Sequence, residues 1–180
     1  MTTANKLTLV RVALIPVFMI FLLIGKQTTE YIALAIYIIA SLTDTLDGYI
    51  ARHYNQVTDF GKFMDPLADK LLVTAAIIIF VGRGQMWSWA AVIILAREFV
   101  VTALRLIAAN NGVVIAAAVS GKCKTLVSLI SICIMMTPIT YLTIGSVRVN
   151  EILVVLMLIV TVYSGAEYFV KNGKILTASK

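Results

Sequence analysis

Four aspartates stand at spacings that suit metal-assisted chemistry. One stretch reads Asp44-Thr-Leu-Asp47-Gly48-Tyr-Ile-Ala51-Arg52, and eight residues later comes Gly61-Lys-Phe-Met-Asp65-Pro-Leu-Ala-Asp69. Helix positions i and i+3, or i and i+4, share a face. Asp44 therefore pairs with Asp47, and Asp65 with Asp69. The short link between the two stretches predicts a hairpin that brings both faces to one depth. Four carboxylates gathered there repel one another unless cations neutralise them. All-oxygen ligation favours Mg²⁺, Mn²⁺ or Ca²⁺ over zinc, and a pair of hard cations suits phosphoryl chemistry. Gly48 and Gly61 fit a ligand that approaches the backbone; close helix packing through small residues is the other use for such positions.

The elements that must hold these residues are set by composition. The chain of 180 residues is 61% apolar and 13% charged, with a mean hydropathy of +0.98. A soluble domain is about half apolar and about a quarter charged, so lipid is the expected solvent for much of the surface. Six apolar stretches run roughly 7–24, 31–52, 61–81, 86–109, 121–143 and 151–170. Each approaches the ~20 residues that a helix needs to cross a bilayer, and they are continuous rather than alternating. The expectation is an all-α integral membrane protein with six transmembrane helices in one domain, residues 1–180. The first stretch reads as an uncleaved span. Only the stretch after Lys124 passes a strict test for a long uncharged run.

Orientation follows from the basic residues. Lys6, Arg11, Arg52, Lys62, Arg105, Lys122, Lys124, Lys171, Lys174 and Lys180 fall on the side of the N-terminus, against Lys26, Arg83 and Arg148 on the other. Basic loops stay inside, so both termini are expected in the cytoplasm. The net charge of +6 forms no like-charged block or tail of the kind that binds nucleic acid. Trp87 and Trp89 suit an interfacial belt. Pro16 and Pro138 are expected to bend their helices. Cys123 and Cys133 carry no disulfide or metal pattern and read as small buried side chains.

The charged residues within spans share a depth. Arg11, Asp44, Asp47, Asp65, Asp69, Arg97, Glu98, Arg105, Lys122, Lys124 and Glu167 all fall in the cytoplasmic half when helix direction alternates. Membrane-level charges face partners or wet cavities, which implies a polar cavity open to the cytoplasm. A cation transporter with a carboxylate ion site is the reading from a different class. It requires polar residues through the outer half as well, and the outer halves of spans one, two, three and five are apolar.

The pattern D-x-x-D-G-x-x-A-R-x8-G-x3-D-x3-D resembles that of the CDP-alcohol phosphatidyltransferases. The resemblance implies six transmembrane helices, usually in a homodimer, and two divalent cations, Mg²⁺ or Mn²⁺. It also implies a CDP-linked lipid donor, an alcohol acceptor and release of CMP. Carried over by residue, Asp44, Asp47 and Asp65 are expected as metal ligands. Asp69 is expected to contact metal and act as general base. Gly48, Arg52 and Gly61 are expected to border the cytidine and diphosphate.

Further stretches resemble one bacterial branch of that family: Asn5-Lys-Leu-Thr8-Leu-Val-Arg11, Ala96-Arg97-Glu98 with Thr102-Ala-Leu-Arg105, and Gly121-Lys122-Cys123-Lys124-Thr125. The branch takes CDP-diacylglycerol as donor and sn-glycerol 3-phosphate as acceptor, in the bacterial inner membrane with its site facing the cytoplasm. Ser128 departs from the glutamine that many members carry there. Inositol phosphate, serine or a phospholipid are the acceptors of other branches. An anionic acceptor needs cations near the metal site, and Arg105, Lys122, Lys124 and Arg11 are the candidates. For the two lysines the competing use is anchoring at the headgroups; for Arg11 it is snorkelling to the interface. Arg97 and Glu98 serve either each other or the site.

Overall fold

In the computed structural model, residues 3–53, 59–110 and 118–177 are described, with side chains for 9–43, 67–68, 70–109 and 118–172. Six α-helices lie among the described residues: α1 (Thr3–Ile24), α2 (Gln27–His53), α3 (Asp59–Gly82), α4 (Ser88–Asn110), α5 (Val119–Met135) and α6 (Val149–Thr177). The hairpin β1 (Thr143–Ile144) and β2 (Val147–Arg148) separates α5 from α6. Long apolar runs become helices because a helix satisfies its backbone polar groups within the segment. The chain divides into two compact units.

The first unit holds α1, α2 and α3. Arg11, Ile15, Phe18 and Leu22 recur at helical spacing and form the buried face of α1. Against them α2 presents Ala33, Tyr37 and Ala40, and α3 presents Leu72, Ala76 and Phe80, all buried. The alanines let the helices approach closely. The Phe18 and Tyr37 rings meet at 5.8 Å between centroids. At the far end, Arg83 binds the Glu30 carboxylate at 2.6 Å and also donates to the Leu22 carbonyl, so one side chain ties the ends of all three helices. Pro16 stands on the exposed side of α1, which continues through it as helix.

The second unit holds α4, α5, the hairpin and α6. Asn150 donates to the Gln85 carbonyl at 2.7 Å, and Arg97 donates to Ser164 Oγ at 2.9 Å. These matched positions mean that α4 and α6 run in the same direction. Ala90, Ile94, Val101 and Ala108 on α4 and Val154, Met157, Thr161, Ser164 and Tyr168 on α6 are the buried faces. Trp87 and Trp89 are exposed and stacked, 5.6 Å between centroids.

The fifth apolar stretch departs from the sequence reading. Helix α5 is 17 residues and stops at Met135; a 3₁₀ turn, Pro138–Tyr141, follows within the stretch, and the hairpin begins at its last residue, Thr143. Proline lacks the N–H that helix continuation needs and disfavours helix in the residue before it. Pro138 thus ends the segment rather than bending it. Gly145, at φ 66, supplies the left-handed backbone of the two-residue turn. Among the described residues, the helix long and apolar enough to cross a membrane is Val149–Asn172, with mean hydropathy 2.0. Shorter apolar stretches, Leu9–Ile24 and Lys70–Gly82, lie in α1 and α3. Helix α6 also runs past the end of the sixth apolar stretch at residue 170, as far as Thr177. Cys133 is half-buried, but Cys123 is exposed on α5, contrary to expectation.

Candidate active site

The backbone of the first unit sets the aspartates in the expected register. Asp44 and Asp47 are i and i+3 on α2, with Gly48 and Arg52 following on that helix; Asp65 and Asp69 are i and i+4 on α3, with Gly61 ahead of them. The side chains of Asp44, Asp47, Arg52, His53, Asp65 and Asp69 lie outside the described residues. As a donor set, four carboxylates on two faces supply only oxygen, which suits Mg²⁺ or Mn²⁺ and not zinc. Arg11 does not snorkel. It is 1% exposed, on the packed face of α1 in line with Ile15 and Phe18.

The second unit brings together charges that are far apart in the chain. Lys124 on α5 is 3% exposed, and its Nζ lies 2.8 Å from Glu98 Oε1 on α4. The same carboxylate oxygen accepts from Arg97 Nη1 at 2.8 Å. Arg97 also reaches α6, through Ser164, and Ser164 in turn donates to the Thr161 carbonyl at 3.3 Å. Gly165 leaves room beside this side chain: a Cβ there would stand 3.2 Å from Arg97 Cγ, a tight contact. Arg97 and Glu98 therefore pair with each other and also tie α4 to both its neighbours. A lysine so buried requires a carboxylate partner, and Glu98 provides one.

The other candidate cations differ in setting. Lys122 is exposed on the first turns of α5. Arg105 is half-buried on α4, its guanidinium 5.7 Å from the Tyr168 ring centroid on α6. Farther along α6, Lys171 pairs with Glu167 one turn away. Sequence reasoning missed Thr161, Ser164 and Tyr168. Their signal was available: polar groups at i, i+3 and i+7 in an apolar run share a face.

Large apolar side chains are exposed on every helix, among them Ile20, Ile39, Ile78, Val92, Leu126 and Ile159. Such a surface around a charged interior is the mark of an α-helical membrane protein. The chain belongs to the CDP-alcohol phosphatidyltransferase family, whose signature residues 1–163 match. It is 43% identical to the CDP-diacylglycerol–glycerol-3-phosphate 3-phosphatidyltransferase of Bacillus subtilis, over 97% of each chain. The enzyme of the same name from Rickettsia bellii is 36% identical over 92% of each chain. That of Haemophilus influenzae is 40% identical over 70% of each.

Proposed function

We propose that the chain transfers the phosphatidyl group of CDP-diacylglycerol to sn-glycerol 3-phosphate, giving phosphatidylglycerophosphate and CMP. The observation that carries this is the 43% identity, along 97% of both chains, to a relative named for that reaction. The whole chain acts as one catalytic domain.

In the reaction, the acceptor hydroxyl oxygen bonds to the lipid-bearing phosphorus of the donor. The bond from that phosphorus to CMP breaks, and CMP leaves with the electron pair. The hydroxyl proton passes to the carboxylate of Asp69. Asp44, Asp47, Asp65 and Asp69 would hold two Mg²⁺ or Mn²⁺ ions. Such ions, when bound, neutralise phosphate oxygens and the charge that develops on the leaving group. Gly48, Arg52 and Gly61 accommodate the cytidine diphosphate. Arg105, Lys122, Lys124 and Arg11 bind the acceptor phosphate, with Glu98 fixing the ammonium of Lys124.

All six helices cross the bacterial inner membrane, with both termini and the reaction on the cytoplasmic side, and the enzyme works as a homodimer. The excess of basic residues on the side of the termini supports that orientation. Mass spectrometry of the lipid product tests the activity. Purified protein in detergent micelles, given CDP-diacylglycerol, sn-glycerol 3-phosphate and Mg²⁺ or Mn²⁺, should yield phosphatidylglycerophosphate. No such lipid from folded protein would contradict the proposal.

A further inference from the structure

Of the buried polar atoms in the second unit that have no hydrogen-bond partner, two belong to one contact. They are the hydroxyl of Tyr168 on α6 and Nε of Arg105 on α4. The guanidinium carbon of Arg105 lies 5.7 Å from the centre of the Tyr168 ring, and Tyr168 is 3% exposed. Burying such a group unpaired forfeits the hydrogen bonds it makes in water, and folded interiors leave few in that state. Phenylalanine would pack the same ring without that cost. The hydroxyl therefore has a use that packing does not supply.

The chemistry of the pair restricts what it fits. An arginine N–H only donates, and a phenol can donate. The ring holds the guanidinium by a cation–π contact, which fixes the direction of its donors. Two donors at a permanent positive charge match an anionic oxygen, and a guanidinium matches phosphate above other anions.

We propose that Tyr168 is a substrate-binding residue, its hydroxyl and Arg105 Nε together receiving a substrate phosphate. This rests on the phosphatidyl-transfer reading and extends it to α6, to which that reading gives no substrate contact. The phosphate has two possible sources, sn-glycerol 3-phosphate and the diphosphate of the CDP-lipid.

The test is binding and melting of the full chain in detergent micelles, wild type against Tyr168→Phe. Dissociation constants for sn-glycerol 3-phosphate and for CDP-diacylglycerol are measured separately. The expected result is an unchanged or higher Tm, since the lost hydroxyl had no partner. With it, one ligand binds roughly tenfold more weakly, as for the loss of a hydrogen bond to a charged group. The ligand affected identifies the source. Arg105→Lys keeps the charge but not Nε and should weaken the same ligand. Equal affinities in wild type and Tyr168→Phe, a fall in Tm, or opposite ligands affected in the two variants would each overturn the inference alone. Wild-type protein that binds neither ligand would remove the phosphatidyl-transfer reading with it.

Discussion

Glu98 on α4 holds the Nζ of Lys124 on α5 at 2.8 Å, and the same oxygen takes the guanidinium of Arg97 at 2.8 Å. One carboxylate thus orders two cations from two helices in an apolar interior. Replacing it by an amide keeps the shape and removes the charge. Glu98→Gln should cost about 1–3 kcal/mol, seen as a lower Tm in micelles. It should also raise the KM for sn-glycerol 3-phosphate, because Lys124 loses its anchor. An unchanged Tm and KM would show that the pair is incidental.

Lys124→Ala separates the two uses of this lysine. If it binds the acceptor phosphate, the KM for acceptor rises more than the KM for CDP-diacylglycerol. Steady-state kinetics with each substrate varied in turn decide this. An unchanged acceptor constant would leave Lys124 as a partner of Glu98 only.

Asp69→Asn retains volume and removes the proton acceptor. Turnover should fall by about 10²–10⁴-fold, the usual contribution of a positioned general base, while the helical content stays as in the wild type. Near-normal turnover would remove Asp69 from that role.

Arg83 serves the fold rather than the reaction. It satisfies the buried carboxylate of Glu30 and a terminal carbonyl of α1. Arg83→Met leaves both without it and should destabilise the protein by about 2–4 kcal/mol. Turnover per folded molecule should stay close to wild type. A thermal melt and an activity assay on the same sample check both halves.

The helices were legible because lipid leaves the backbone few alternatives. α1, α2, α3, α4 and α6 lie over the apolar stretches that the sequence marks. The end of the fifth stretch was not, because hydropathy averages over Pro138, and it is Pro138 that opens the 3₁₀ turn in place of helix. The aspartate register was legible because helix spacing alone fixes it. The partners of the cations were not. That Lys124 meets Glu98, and that Arg105 lies over Tyr168, depends on how α4, α5 and α6 pack, which no local pattern encodes. Arg11 shows the same limit. Its type and position allow snorkelling, and only the packed face shared with Phe18 and Leu22 excludes it.

The central claim, metal-dependent transfer to sn-glycerol 3-phosphate, is tested most directly by CMP release. Purified protein in micelles receives CDP-diacylglycerol with Mg²⁺ or Mn²⁺, and sn-glycerol 3-phosphate, inositol phosphate or serine in separate reactions. The account predicts CMP with sn-glycerol 3-phosphate alone, and none once EDTA is added. CMP with another acceptor instead, or release that survives EDTA, would contradict it.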